Sequence, residues 1–236
     1  MIDQHISSAY DRDLEAITTL IMKMGGLVEE AILLAAQSLA DRDLELAEKV
    51  RKADKVIDAL ELQINEDAAR TIALRAPVSK DLRALLTVLR LAASLERIGD
   101  YAKNIAKRTS AVVDMPPVSG ADVALRRMAR EVQAMLKDTL DAYMRYDADL
   151  AEDVRQRDQE VDQMYNALFR EFLTFMMEDP RNITACMHLH FMAKNIERMG
   201  DLTTNMSEQI IYLVTGEMPE EARPKGDKTP FVTDPE

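Results

Sequence analysis

A short motif that occurs twice, 101 residues apart, constrains the fold of this chain more than any other feature. The first copy begins at Leu95 and reads LERIGDYAKNI, and the second begins at Ile196 and reads IERMGDLTTNM. The positions identical in the two copies are Glu96/Glu197, Arg97/Arg198, Gly99/Gly200, Asp100/Asp201 and Asn104/Asn205. This match at one register indicates a tandem duplication, so each half of the chain is expected to repeat one structural unit.

Apolar side chains recur at helical spacing in six segments that turn-forming residues separate. These segments predict helices at about residues 8–39, 44–74, 79–110, 122–145, 148–177 and from the break at 178–180 to about 214. A Gly25-Gly26 pair inside the first helix predicts a kink or a close approach by another backbone. Helices of this length with short connections pack antiparallel.

The predicted fold class is therefore all-α, with two tandem antiparallel three-helix bundles and six long helices. The first bundle is expected at residues 1–115 and the second at residues 120–216, on either side of a proline-rich connection. Residues 217–236 are rich in proline and charge and lack periodicity, so they predict a disordered tail.

Composition excludes several classes of function. The formal charge of −12 opposes binding to a phosphate backbone, and an aromatic content of 5% without tryptophan opposes a base-stacking surface. Cys186 is the single cysteine, which excludes an intrachain disulfide and favours a reducing compartment. Because neither a signal peptide nor an uncharged stretch of membrane-spanning length is visible, we expect a cytoplasmic protein.

Four acidic residues in each half form the candidate site. Asp54 and Asp58 lie one turn apart on the middle helix of the first half, and the loop residue Pro77 is the midpoint both of Asp58 and Glu96 and of Asp54 and Asp100. Residues equidistant from the loop of an antiparallel pair lie at the same height, so these carboxylates are expected to meet in two rungs. The equivalent pairs of the second half are Asp162/Glu197 and Asp158/Asp201, equidistant from its own loop.

These carboxylates flank the apolar stripes, which predicts an open groove on the bundle surface. Oxygen ligands favour hard cations, so a divalent or multinuclear metal centre is one interpretation, with Mg²⁺, Mn²⁺, Ca²⁺, iron or zinc as the metal. Asn104 and Asn205 could add amide oxygens. The alternative is an ordinary charged surface that Lys103, Lys107, Arg51 and Lys55 neutralise. In the second half Thr204 stands in place of Lys103 and Glu208 in place of Lys107.

Catalysis has no visible apparatus in the sequence. His190 lies seven residues before Glu197, about 10 Å along a helix, and is interpreted as a packing residue. Cys186 lies in an apolar helical context and is interpreted as part of the core. No Glu-x-x-His pair, phosphate-binding loop, dinucleotide fingerprint or nucleophile elbow is present.

The duplicated Glu-Arg-x-Gly-Asp segments, together with Met24–Glu29 and Met176–Asp179, resemble the PhoU family of phosphate-signalling regulators over nearly the whole chain. The resemblance implies two three-helix bundles and an acidic signature that binds metal clusters in some members. It implies a non-catalytic negative regulator of the phosphate-starvation response, which couples the high-affinity phosphate transporter to a sensor histidine kinase. The implied partners are the transporter's ATPase subunit, the kinase and a second copy of the chain as a homodimer, with membrane association only through partners.

Carried onto this chain, the family's acidic signature falls on Glu96/Asp100 and Glu197/Asp201, with Asp54/Asp58 and Asp158/Asp162 facing it. Two other interpretations stay open at this point. One is a metal-dependent carboxylate-bridged hydrolase or oxidase on the same clusters, and the other is a helical scaffold without metal.

Overall fold

The computed structural model describes the backbone of residues 2–219 and the side chains of residues 9–219. It contains α1 (Ile2–Asp41), α2 (Leu44–Arg75), α3 (Ser79–Val112), α4 (Ala121–Arg145), α5 (Ala148–Glu178) and α6 (Ile183–Thr215), with a short 3₁₀ turn at Pro180–Asn182 before α6. The all-α fold class is confirmed. Five of the expected helices agree within a few residues, while α1 begins six residues earlier than predicted. Most of the expected tail lies outside the described residues.

The first turn of each half has the same local structure. Arg42 and Tyr146 adopt left-handed conformations with φ of 55° and 54°, and each is followed by an aspartate. Asp43 caps α2 by accepting a hydrogen bond from the backbone N–H of Leu46, and Asp147 caps α5 in the same way. These side-chain caps satisfy backbone donors that the first helical turn leaves without partners. The duplication read from the sequence is therefore also present in the turn geometry.

The two three-helix units share one hydrophobic core. Within the first unit α1, α2 and α3 pack on each other, and within the second α4, α5 and α6 do the same. The units join through α1 against α4 and α3 against α6, so these four helices lie at the centre and α2 and α5 lie outside them. One continuous cluster of buried side chains spans all six helices. Because the core is continuous, the boundary drawn at residues 115–120 stays a prediction.

The connection between the two units is held against α1. Arg42 donates from Nη1 to the carbonyl oxygen of Val113 at 2.9 Å and from Nη2 to that of Met115 at 3.0 Å. Val118, in the same connection, is buried at 8% exposure. The proline-rich segment is thus fixed to the bundle by backbone hydrogen bonds and apolar packing.

The glycine pair of α1 lies where α1 meets α4. A Cβ on Gly25 would overlap the side chain of Leu140, whereas a Cβ on Gly26 would contact nothing. The predicted approach of another backbone is therefore wrong for this pair. The close neighbour of Gly25 is the side chain of Leu140. None of the helices between residues 2 and 219 carries an apolar stretch of the length needed to span a membrane.

Candidate functional site

The first acidic cluster lies in the seam between α2 and α3, and a lysine occupies its centre. Lys103 donates from Nζ to Asp54 Oδ2 at 2.5 Å and to Asp100 Oδ1 at 2.7 Å. One ammonium reaches both carboxylates, which agrees with the prediction that Asp54 and Asp100 lie at the same height across the seam. The two carboxylates raise the pKa of Lys103, since they stabilise its charged form.

Asp58 and Glu96, the predicted second rung of this cluster, lie nearer the hairpin loop. The pKa of Asp58 is raised by partial burial and then by the charge of Asp54. The pKa of Glu96 is raised by partial burial and then by the charges of Asp100 and Glu61. Raised pKa values mean that the fold does not fully compensate the negative charge of these groups. The cluster can therefore stabilise an added cation.

A buried oxygen of Asp54 fits a cation ligand. Asp54 is 4% exposed, and its Oδ1 atom accepts no hydrogen bond from the part of the chain that the structure describes. Buried polar atoms normally have a partner, and leaving one without a partner costs about 1–3 kcal/mol. The donor set is thus chemically suitable for a hard cation, although the ammonium of Lys103 already neutralises Oδ2 of the same carboxylate.

The second acidic cluster, between α5 and α6, is more deeply buried than the first. Asp158, Asp162 and Glu197 are only 2%, 4% and 5% exposed, while Asp201 is half-buried. The prediction of an open surface groove is therefore wrong for this half. Three carboxylates at this depth need compensating charge or hydrogen bonds from the protein or from a ligand.

In the second cluster a lysine at a different position pairs with one of the acidic residues. Thr204, at the position of Lys103, donates its hydroxyl to the carbonyl oxygen of Gly200 at 3.1 Å and carries no charge. Lys194 donates to Glu197 Oε1 at 2.9 Å, and its ammonium lies 4.8 Å from the centre of the Tyr165 ring. Lys194 was not among the predicted site residues, although its position three residues before Glu197 on one helix is a spacing typical of an ion pair.

The glycine of each motif allows the helices of its seam to approach closely. A Cβ on Gly99 would lie 3.1 Å from Ile57 Cδ1, and one on Gly200 would lie 3.0 Å from Asp158 Oδ1. Either contact is tighter than ordinary van der Waals packing. Because the glycines have no side chains, the two helices of each seam can lie close together, which brings the facing carboxylates near each other.

No group of three or more His, Cys, Asp or Glu side chains among residues 9–219 converges as a metal ion would require. A metal in the first seam would need Lys103 to leave and the carboxylates to turn toward it. The assignment of metal to Asp54, Asp58, Glu96, Asp100, Asp158, Asp162, Glu197 and Asp201 therefore stays a prediction.

The residues considered for catalysis lie in packing environments. His190 is surrounded by Tyr165, Phe169 and Phe191, with ring centres 5.4–5.9 Å away. Burial lowers the pKa of His190, and its Nδ1 atom is buried and accepts no hydrogen bond from the described residues. Cys186 is fully buried, and burial raises the pKa of its thiol, which disfavours the reactive thiolate.

The fold and its two acidic seams define a class of all-helical protein built from a duplicated three-helix unit. The model of the PhoU domain matches this chain twice, at residues 21–109 and 125–210. The chain belongs to the PhoU domain family.

Relatives with this family's name match over nearly the full length. The chain is 46% identical over 229 residues to a phosphate-specific transport system accessory protein PhoU homolog of Rhizobium meliloti. The aligned region covers 97% of each chain. It is 44% identical over 224 residues to the protein of the same name from Caulobacter vibrioides. That alignment covers 95% of this chain and 97% of the relative. The crystal structure of PhoU from Pseudomonas aeruginosa has a TM-score of 0.85 at 38% identity and covers 88% of this chain and 100% of that chain.

Proposed function

We propose that this protein is a non-catalytic accessory regulator of phosphate uptake that acts as an adaptor. It couples the high-affinity phosphate transporter to a sensor histidine kinase and restrains the phosphate-starvation response when phosphate is plentiful. The observation that carries the proposal is the 46% identity, over 97% of both chains, to a relative named as an accessory protein of the phosphate-specific transport system.

The chemistry of the chain supports a non-catalytic role. The single thiol is fully buried, and the histidine nearest to an acidic cluster along α6 lies among aromatic rings. The proposed partners are the cytoplasmic ATPase subunit of the transporter and the kinase, with a homodimer as the assembled form. With a cytoplasmic ATPase subunit as partner, the proposed site of action is the cytoplasm.

Deletion of the gene tests the adaptor proposal. A reporter for a starvation-induced promoter should stay active in high phosphate in the deletion strain and return to its repressed level when the wild-type gene is restored. A deletion strain with normal repression would contradict the proposal. Purified protein should also bind the ATPase subunit and the kinase separately, which distinguishes an adaptor from a regulator of one partner.

We further propose that the acidic seams bind divalent cations, which would fix the helices of each hairpin at the level of the carboxylates. The raised pKa values of Asp58 and Glu96 and the unpartnered Oδ1 of Asp54 support this proposal. Elemental analysis should find metal in wild-type protein and less in a variant with alanine at Asp54, Asp58, Glu96 and Asp100.

A matched variant with alanine at Asp158, Asp162, Glu197 and Asp201 apportions the metal between the two halves. Equal metal content in wild type and both variants would contradict the proposal. Measured turnover that disappears in Asp100→Ala and Asp201→Ala would instead favour the metal-dependent hydrolase or oxidase.

A further inference from the structure

A cationic cleft lies between α3 and α6, on the line where the two halves of the chain meet. Its volume is about 510 Å³, which falls within the range of small-molecule sites. The side chains that line it include Tyr101, Lys107, Arg108, His188, Phe191 and Arg198. None of the described residues that line it is acidic, although the chain has a formal charge of −12.

The cationic side chains of this cleft have no carboxylate partner among the described residues. Lys107, Arg108 and Arg198 make no ion pair with a carboxylate between residues 9 and 219, whereas Lys103, one turn before Lys107, makes two. Three like charges in one concave site repel each other, and an anion would relieve that repulsion. Lys107 also borders the concavity that holds Asp54 and Asp58, whereas Arg108 and Arg198 do not.

Aromatic rings hold both arginines in place. The guanidinium carbon of Arg108 lies 4.4 Å from the centre of the Phe191 ring, and that of Arg198 lies 6.0 Å from the centre of the Tyr101 ring. Arg108 Nη1 also lies 3.4 Å from His188 Nδ1, which can only accept from it. A guanidinium stacked on a ring keeps its N–H edge available for paired hydrogen bonds to phosphate oxygens.

The other end of the same helix pair provides an internal comparison. At the constant shift of 101 residues, Glu208 replaces Lys107 and Gln209 replaces Arg108. Glu208 accepts from Arg155 Nε at 3.3 Å, and Gln209 accepts from Arg90 Nη1 at 2.5 Å. At that end Arg155 is thus paired with a carboxylate, and Arg90 donates to an uncharged amide. The pair Lys107 and Arg108 therefore has no cationic equivalent at the other end of the α3–α6 interface.

We propose that this cleft binds a small molecule that carries two or more phosphate groups. Three separate cationic groups match several anionic groups better than one, and the cleft is larger than a single phosphate needs. Phe191 is 44% exposed, so its ring edge is open to a second chemical group beside the phosphates. The site is a concave cleft between two helices, which favours a small ligand over a flat membrane surface.

Isothermal titration of the full-length protein tests the site, with pyrophosphate, ATP and orthophosphate as probes. EDTA in every buffer keeps the result independent of metal binding in the acidic seams, and no phosphate-regulation partner is needed. Pyrophosphate and ATP should bind saturably with one site per chain. The Arg108→Gln/Arg198→Gln double variant should weaken both at least tenfold.

Arg97→Gln is the matched control, because Arg97 is the equivalent of Arg198 in the first motif and does not line the cleft. It should bind as wild type does, and thermal melting should show that all variants are folded. Tighter binding of ATP than of pyrophosphate that is lost in Phe191→Ala would identify a nucleotide. Equal binding of ATP and pyrophosphate would identify the phosphate chain alone as the recognised group.

Three results of the titration would overturn the proposal. They are the absence of saturable binding, binding that the double variant leaves unchanged, and orthophosphate binding as tight as that of pyrophosphate. Binding only to vesicles that contain phosphatidylglycerol would also overturn it, since the ligand would then be a membrane surface.

Discussion

Lys103 on α3 lies 2.5 Å from Asp54 on α2 and so joins the two helices at the level of the first acidic cluster. The carboxylate is buried, with 5% of its side chain exposed, while 36% of the lysine side chain is exposed. The equivalent threonine of the second half cannot make such a bridge. The two halves of the duplicated fold therefore compensate their buried acids in different ways.

Replacement of Lys103 by methionine should destabilise the fold. The change keeps the length of the side chain but leaves the buried Asp54 without its cation, and an unsatisfied buried polar group costs about 1–3 kcal/mol. Urea denaturation measures the change in the free energy of unfolding. Lys107→Met is the control, because Lys107 is exposed and should change that free energy by less than about 0.5 kcal/mol. Equal effects of the two substitutions would contradict the bridge.

The cation proposal predicts a gain of affinity when Lys103 is replaced by threonine. The substitution gives the first seam the residue found in the second and removes an ammonium that competes with a metal for Asp54 and Asp100. Mn²⁺ should bind about tenfold more tightly, equivalent to about 1.4 kcal/mol, as measured by electron paramagnetic resonance titration. Thr204→Lys is the reverse test and should weaken binding in the second seam. Unchanged Mn²⁺ affinity in both variants would argue against metal in the seams.

Gly25 and Gly26 should respond to alanine in opposite directions. Alanine at Gly26 contacts nothing and should stabilise α1 by up to about 1 kcal/mol, because alanine has the higher helix propensity. Alanine at Gly25 meets the buried side chain of Leu140 and should destabilise the fold by about 1–3 kcal/mol through overpacking. Thermal unfolding of the two single variants measures the contrast. Stabilisation by both would mean that α1 and α4 are less closely packed than described.

His190 should make the protein less stable at acidic pH. Its pKa is lowered in the fold, so below the unfolded value of about 6.5 the unfolded chain binds a proton that the folded chain does not. The free energy of unfolding should therefore decrease as the pH falls from 7.5 toward the lowered pKa. His190→Leu, which copies Leu89 of the first half, should remove this component while the acidic residues titrate as before. Identical pH profiles for wild type and variant would show that the imidazole is not shielded from water.

The sequence predicted the heights of the acidic residues but not their depth. Equal distance from a hairpin loop places Asp54 opposite Asp100 because helical rise is constant, and the contacts of Lys103 agree with that placement. Burial depends on which other elements cover the seam. In the second half Val132 of α4 also reaches Gly200, a neighbour that helical spacing within one hairpin does not reveal.

Sequence patterns also could not predict the cationic cleft. Its side chains come from α3 and α6, and those helices belong to different copies of the repeat. Periodicity describes each helix and the loop midpoint describes each hairpin, but neither states how one copy meets the other. Arg198 was visible as part of the motif, whereas its neighbour Tyr101 became evident only from the packing of α3 on α6.

The shared core has a mechanical consequence. Because α1 meets α4 and α3 meets α6 along their lengths, a cut in the backbone between residues 113 and 120 would leave two fragments that stay bound to each other. The shared core would then hold the two three-helix units together without the covalent link. A partner that binds α2 is therefore connected to α5 through this core as well as through the chain.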